Sequence, residues 1–175
     1  MDQLREIMNL DSLWTLWFWI MHVMAWSLTS HFVLGVPFDA VLQANREKED
    51  FGPWARHTDA MIRASVFRVV TYFRRIGTLL VGVWSFLIGS LLTFAILFEN
   101  EFCMAVLTLF LPLTAIYAVS IRWALWIDEA ALDPAELRQV LRRLRFWVQL
   151  FGVVGIMLAG ANAVYFWVQT HVPGV

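Results

Sequence analysis

Four long segments of this chain contain almost no ionisable side chains, and no other feature constrains its fold as strongly. They run from about Leu13 to Val36, Ile76 to Phe98, Phe102 to Ile121 and Phe146 to Val168. A helix needs roughly 20 apolar residues to cross the hydrocarbon core of a bilayer. Because backbone groups in lipid must be hydrogen-bonded within their own segment, we expect four α-helices. The sequence predicts an all-α integral membrane four-helix bundle, with residues 1–175 forming a single membrane domain.

Composition supports this prediction and excludes several other classes of protein. Hydrophobic residues make up 60% of the chain and charged residues 15%, whereas soluble domains average roughly 45–50% and 25%. A net charge of −1 provides no basic field that would draw the chain to nucleic acid. The single cysteine, Cys103, excludes an intramolecular disulfide. We therefore expect neither a soluble enzyme, a disulfide scaffold nor a nucleic-acid-binding protein.

Basic residues are distributed unequally among the connecting segments, which predicts the orientation of the chain. Seven lie in the loop of residues 37–75 and five in the loop of residues 122–145, whereas the opposite side carries Arg5 alone. Lys and Arg are enriched in cytoplasmic loops. Both loops are therefore expected to be cytoplasmic, and both termini to lie on the other side of the membrane.

Both loops contain sequences typical of helices at a membrane surface. Between His57 and Arg75, apolar residues alternate with arginines at helical spacing, which predicts a basic amphipathic helix that lies on or enters the headgroup region. Asp133 to Glu136 is a compact helix start, so one long helix is predicted from Pro134 to Val168. Eight arginines of these segments are expected to contact membrane lipid or a protein partner: Arg63, Arg68, Arg74, Arg75, Arg138, Arg142, Arg143 and Arg145.

A polar stripe on the first span is the main candidate for a functional site. Thr15, Trp19, His22, Trp26 and Ser30 recur every three or four residues and so share one helix face. Such a face inside lipid is expected to turn toward the bundle interior. His22, with Trp19 and Trp26, is a candidate cofactor or quinone contact or proton relay. The alternative, which we favour, is a neutral imidazole that holds the bundle together by a hydrogen bond.

No resident cofactor, metal or catalytic residue is predicted. Haem ligation by two histidines needs both at one depth on facing helices, and none of the other three histidines matches the depth of His22. One cysteine and scattered histidines offer no cluster at zinc spacing. The spans contain no acidic or basic residue well inside, which argues against ion transport by a single copy. Permeation of small solutes through an oligomer stays open.

Small residues form stripes on two of the predicted spans, and such stripes allow helix backbones to approach closely. They comprise Gly82, Ser85 and Gly89 on the second span, and Gly152, Gly155 and Ala159 on the fourth. We expect them to pack helices within the chain. Packing between copies in a homo-oligomer is the alternative.

One stretch of the chain resembles a known group of proteins. It runs from Ser30 to Asp39, Ser-His-Phe-Val-Leu-Gly-Val-Pro-Phe-Asp, and follows an aromatic run that begins at Leu13. It resembles small bacterial membrane proteins labelled "component of SufBCD complex". The resemblance implies an inner-membrane protein associated with the cytoplasmic iron–sulfur assembly scaffold, and a turn formed by His31, Gly35 and Pro37 where the first span ends. It assigns no catalytic residue.

The sequence thus favours a non-catalytic accessory or scaffold protein of a bacterial inner membrane, with both termini periplasmic. Two alternatives remain at this point. One is a membrane redox or quinone-handling subunit that uses His22. The other is an oligomer through which small solutes permeate.

Overall fold

The computed structural model describes residues 16–47, 52–130 and 132–171. Within these ranges the chain forms five helices: α1 (Leu16–His31), α2 (Phe38–Arg46), α3 (Pro53–Leu97), α4 (Glu101–Ala130) and α5 (Pro134–His171). Two short strands, β1 (Phe32–Val33) and β2 (Val36–Pro37), pair antiparallel between α1 and α2. The predicted all-α class is confirmed, with this small hairpin as an addition.

Among the described residues, three helices are long and apolar enough to cross a membrane, namely α3, α4 and the part of α5 from Pro134 to Gln169. They contain the second, third and fourth predicted spans, residues 76–98, 102–121 and 146–168. The most apolar stretch of α3 is only 6% buried, so its side chains face outward along most of that length. An exposed apolar surface of this extent indicates a membrane protein rather than one surrounded by water.

The first predicted span agrees with α1 only in part. We expected it to continue to Val36, whereas the helix ends at His31 and residues 32–37 form the hairpin. The reason is a two-residue turn in which Leu34 and Gly35 have φ angles of 53° and 76°, values that suit a tight hairpin and not a right-handed helix. The described part of α1 has 16 residues, and its predicted beginning at Leu13 lies outside the described residues.

The segments predicted as loops are largely helical. Residues 53–75 form the first half of α3, so the amphipathic helix expected between His57 and Arg75 continues directly into the second span. Pro53 occupies the start of α3, where the missing N–H costs nothing. The Glu47 carboxylate accepts hydrogen bonds from the backbone N–H groups of Trp54 and Ala55, at 3.2 and 2.9 Å. These contacts fix where α3 begins.

The other long helix also begins as its sequence predicts. The Glu136 N–H donates to Asp133 Oδ1 at 2.8 Å, and the Asp133 N–H donates to Glu136 Oε2 at 3.2 Å. This reciprocal arrangement is a capping box. From Pro134, α5 continues without a break to His171, so the arginine-bearing turns and the fourth span belong to one rigid element.

The main buried core is concentrated at the basic end of the molecule, which comprises the hairpin, α2, the first half of α3 and the start of α5. Seven of its apolar side chains, from the hairpin, α2, the first half of α3 and the start of α5, are at most 2% exposed: Val33, Val36, Val41, Ile62, Leu137, Leu141 and Leu144. A smaller cluster forms around Ala105 and Ala163 toward the other end. Extensive burial is what the hydrophobic effect produces where a protein meets water. The basic end is therefore packed like a small water-exposed domain.

A buried ion pair joins α3 to α5 beside this core. One nitrogen of Arg138, Nη1, donates to both carboxylate oxygens of Asp59 at 3.1 Å each, and the two side chains are 4% and 12% exposed. A buried charge that loses its partner costs several kcal/mol. The pair therefore specifies which turn of α5 lies against which turn of α3.

Replacing Arg138 alone with Met should lower the free energy of unfolding by about 3–5 kcal/mol, because Asp59 would stay buried without its arginine. The double variant Arg138→Met, Asp59→Leu should recover most of this loss, since both charges are then absent. Helix content of the detergent-solubilised protein, followed during titration with SDS, measures the change.

Arg74→Met is the matched control. Arg74 pairs with Asp128 at 3.2 Å, but its side chain is 59% exposed, so its removal should cost less than about 1 kcal/mol. If the Arg74 and Arg138 variants lost the same free energy of unfolding, burial would not strengthen the Arg138–Asp59 pair.

Candidate functional site

His22, the site candidate from the sequence, lies fully buried (0% exposed) in α1. Its Nε2 accepts a hydrogen bond from the indole N–H of Trp26, one turn later, at 3.2 Å. An accepting Nε2 carries no proton, so the neutral ring has its proton on Nδ1. Nδ1 is itself buried and has no hydrogen-bond partner among the described residues. Among the described residues, a hydrogen bond therefore fixes the imidazole through Nε2 alone.

Aromatic rings surround this imidazole. The centroids of Phe18, Trp19 and Trp26 lie 5.5, 6.1 and 6.5 Å from that of His22. The structure therefore brings together Trp19, His22 and Trp26 as expected from their spacing. Phe18, four residues before His22, also belongs to this cluster. It was not predicted because the predicted stripe contained only polar and indole side chains. Thr15 lies outside the described residues.

The fourth-span stripe of small residues packs against the same cluster. A Cβ atom placed on Gly152 would lie 3.1 Å from Cε3 of Trp26, and one on Gly155 would lie 3.0 Å from Cζ2. Ala159, further along the stripe, is 0% exposed. At Gly152 and Gly155 the absence of a side chain makes room for the Trp26 ring, so the stripe packs α5 against α1 within one chain.

The stripe on α3 has different surroundings. A Cβ atom on Gly82 or Gly89 would have no other atom within 4 Å, apart from the local helix itself, and Ser85 is exposed. Contrary to expectation, these three residues do not pack helices within the described part of the chain. They lie on the outer surface of the second predicted span.

The arginines expected at a lipid or partner surface have unequal surroundings. Arg138 departs from the expectation, because it is buried and bound to Asp59. Arg63 donates to the backbone oxygen of Leu132 at 2.9 Å. The guanidinium of Arg145 lies 3.8 Å above the centre of the Phe38 ring, a cation–π contact. Arg138 thus links α5 to α3, Arg63 links α3 to the segment before α5, and Arg145 links α5 to α2.

The remaining arginines are available at the surface. Arg74 pairs with Asp128 but stays exposed, and Arg75, Arg142 and Arg143 are exposed without an ion pair to any described residue. Arg143 also borders a groove between α4 and α5 with a volume of about 610 Å³. The groove is lined by Arg122, Trp123, Leu125, Trp126, Glu129 and Arg143.

A second, more enclosed cavity of about 370 Å³ lies below the hairpin. Its walls come from α1, the hairpin, α3, α4 and α5, and most are apolar. Four side chains contribute polar groups: Thr29, Arg68, Tyr117 and Ser120. Of these, sequence reasoning identified only Arg68, as a surface residue. No local pattern connects residues that five separate elements bring to one place.

Comparison with known proteins provides no further constraint: no protein-family model, curated protein or solved structure matches the chain. Within the described ranges, no group of three or more His, Cys, Asp or Glu residues is placed to hold a metal ion.

Gly155→Val should destabilise the protein by about 1–3 kcal/mol, because the new side chain would overlap the Trp26 ring. Gly82→Val is the matched control. It should change the free energy of unfolding by less than about 0.5 kcal/mol, since a Cβ atom at this position would have no neighbouring atom within 4 Å. Thermal unfolding in detergent, with near-ultraviolet circular dichroism to follow the tryptophans, measures both. If the two substitutions cost the same, the packing of Trp26 on α5 described here is wrong.

Proposed function

We propose that this chain is a non-catalytic accessory or scaffold protein of a bacterial cytoplasmic membrane. The observation that carries the proposal is the unequal packing along α3. Its basic half encloses a buried core and forms a buried ion pair with the start of α5, whereas its apolar stretch is only 6% buried and that of α5 is 28% buried. A chain built in this way is suited to hold its folded basic end, which we call the platform, against a membrane surface.

We infer a four-helix membrane bundle in which α1, α3, α4 and α5 each cross once. The inference is supported by contacts between these helices along their apolar parts. Trp26 of α1 fills the space at Gly155 of α5. The indole N–H of Trp84 on α3 donates to Thr114 Oγ1 on α4 at 2.8 Å, a polar contact of the kind that links helices in lipid.

The proposed orientation places both termini in the periplasm and the hairpin, α2 and the basic halves of α3 and α5 in the cytoplasm. Reporter fusions at each end of the full chain test it, using alkaline phosphatase, which is active in the periplasm, and a fluorescent protein, which is bright in the cytoplasm. We expect phosphatase activity and no fluorescence at both ends. Opposite results at the two termini would show three crossings and remove α1 from the bundle.

The exposed arginines support a binding role for the platform. Arg142 and Arg143 lie on consecutive positions of α5, and Arg143 shares a groove with Arg122 and two tryptophans. Guanidinium groups that form no ion pair with a described residue, beside indole rings and outnumbering the one carboxylate of the groove, Glu129, favour an acidic protein surface with apolar contacts at its centre. From the resemblance in the first span, we propose the cytoplasmic iron–sulfur assembly scaffold as the partner.

Co-purification tests this function. The tagged full chain, extracted from native membranes in mild detergent, should retain the scaffold proteins, and Arg143→Glu should reduce their recovery at least about tenfold, because it places like charge against an acidic partner. Arg56→Glu, an exposed arginine at the start of α3 that lies outside the groove, should leave recovery unchanged. Absence of any stable companion, or equal loss in both variants, would contradict the proposal.

The surroundings of His22 support a structural role in preference to quinone binding. Its side chain is 0% exposed and its Nε2 is occupied by Trp26, so a quinone would have to displace the indole before it reached the ring. The same indole fills the space beside Gly152 and Gly155, where a permeation path along the stripe would have to run. No observation favours either alternative over the accessory role.

A further inference from the structure

The cavity below the hairpin combines an apolar wall with one charged group. Its apolar side chains include Leu28, Phe32, Ile116, Ile121 and Val148. Its volume of about 370 Å³ is in the range of roughly 300–1,000 Å³ that small-molecule sites occupy. The wall carries hydroxyl groups from Thr29, Tyr117 and Ser120, and the guanidinium of Arg68. Such a site suits a molecule with an apolar part and a small polar head.

Arg68 borders the cavity and is itself exposed. Its one hydrogen bond in the structure is to Ser65 Oγ at 3.4 Å, it has no ion pair with a described residue, and the cavity wall contains neither Asp nor Glu. A guanidinium presents N–H donors in a fork that matches two oxygens of a phosphate. A phosphate has the matching geometry and could bind this guanidinium without competition from a described carboxylate.

The hairpin turn holds this guanidinium close to the cavity wall. A Cβ atom on Gly35 would lie 3.0 Å from Nη2 of Arg68 and 3.3 Å from Ser65 Oγ. Gly35 also has a φ of 76°, a conformation that glycine adopts without strain. Glycine therefore suits the conformation of the turn and lets its backbone lie close to the end of the Arg68 side chain.

The depth of the cavity matches an amphiphile in the proposed orientation. Leu28 and Thr29 lie near the end of α1, and Tyr117 and Ser120 lie in the last turns of the third predicted span. Arg68 precedes the second predicted span by two turns. The apolar wall therefore borders the hydrocarbon, and the charge lies at the level of the cytoplasmic headgroups.

We propose that this cavity binds one anionic phospholipid, with its phosphate on Arg68 and the beginning of an acyl chain along Leu28, Ile116 and Ile121. A glycerol headgroup fits better than an ethanolamine, because its hydroxyls can bond to Tyr117 and Ser120. An ammonium group would find no carboxylate in the wall. The placement rests on the proposed membrane orientation but not on the proposed partner.

Native mass spectrometry of the full chain in detergent tests the site, with phosphatidylglycerol, phosphatidylethanolamine and glycerol phosphate as separate probes. We expect one phosphatidylglycerol to be retained per chain, and Arg68→Gln to weaken its binding about tenfold. Arg56→Gln, an exposed arginine of the same helix outside the cavity, should bind as the unchanged protein does. Ser120→Leu, which fills the cavity without altering charge, should also reduce binding and guards against a folding defect in the Arg68 variant.

Each other result would overturn part or all of the proposal. Equal binding by the Arg68 variant and the unchanged protein would exclude Arg68 as the ligand. Equal weakening by the Arg56 and Arg68 variants would show general attraction to the basic surface. Equal retention of phosphatidylethanolamine would contradict the headgroup, and tight binding of glycerol phosphate would assign the site to a soluble phosphate compound. Loss of the protein partner with intact lipid selectivity would refute the scaffold function alone.

Discussion

The ion pair between Asp59 and Arg138 is the interaction on which the basic end of the molecule depends. It fixes α3 against α5 where both helices have left their most apolar stretches. Around it, Ile62 and Leu141 are 0% exposed, and the hairpin and α2 cover the same core. If the two helices slipped by one turn, Asp59 and Arg138 would no longer meet. Specificity of helix pairing is the contribution that a buried charge pair makes here.

Features encoded by short stretches of sequence could be predicted, and the structure contains them. The capping box at Asp133 and Glu136 and the proline at Pro53 each specify a helix start through neighbouring residues. Long apolar segments identified α3, α4 and α5 because length and hydropathy are properties of one helix. The stripe of Trp19, His22 and Trp26 was predictable for the same reason, since helical spacing alone brings these rings together.

Features that depend on distant residues could not be predicted. Arg138 follows the same amphipathic pattern as Arg142, and only Asp59, 79 positions away, makes it a buried residue. Gly82 and Gly155 are equivalent in the sequence, yet only Gly155 meets an indole. The end of α1 at His31 was missed because apolar residues continue to Val36, and the turn at Leu34 and Gly35 interrupts the helix without changing hydropathy. Tertiary partners decided the first two of these outcomes, whereas a local turn decided the third.

The unbroken course of α3 has a mechanical consequence. A helix of 45 residues is about 68 Å long at 1.5 Å per residue, and it contains no proline after its first position. If so long a helix tilts as a rigid body about the ion pair at Asp59, a small rotation displaces its far end by several ångströms. From Asp59 to the end of the helix at Leu97 is about 57 Å, so a tilt of about 5° about the ion pair would displace that end by about 5 Å. A partner that tilted the arginine-bearing end would therefore also displace the turn at Glu99 and Asn100, at the opposite end of α3.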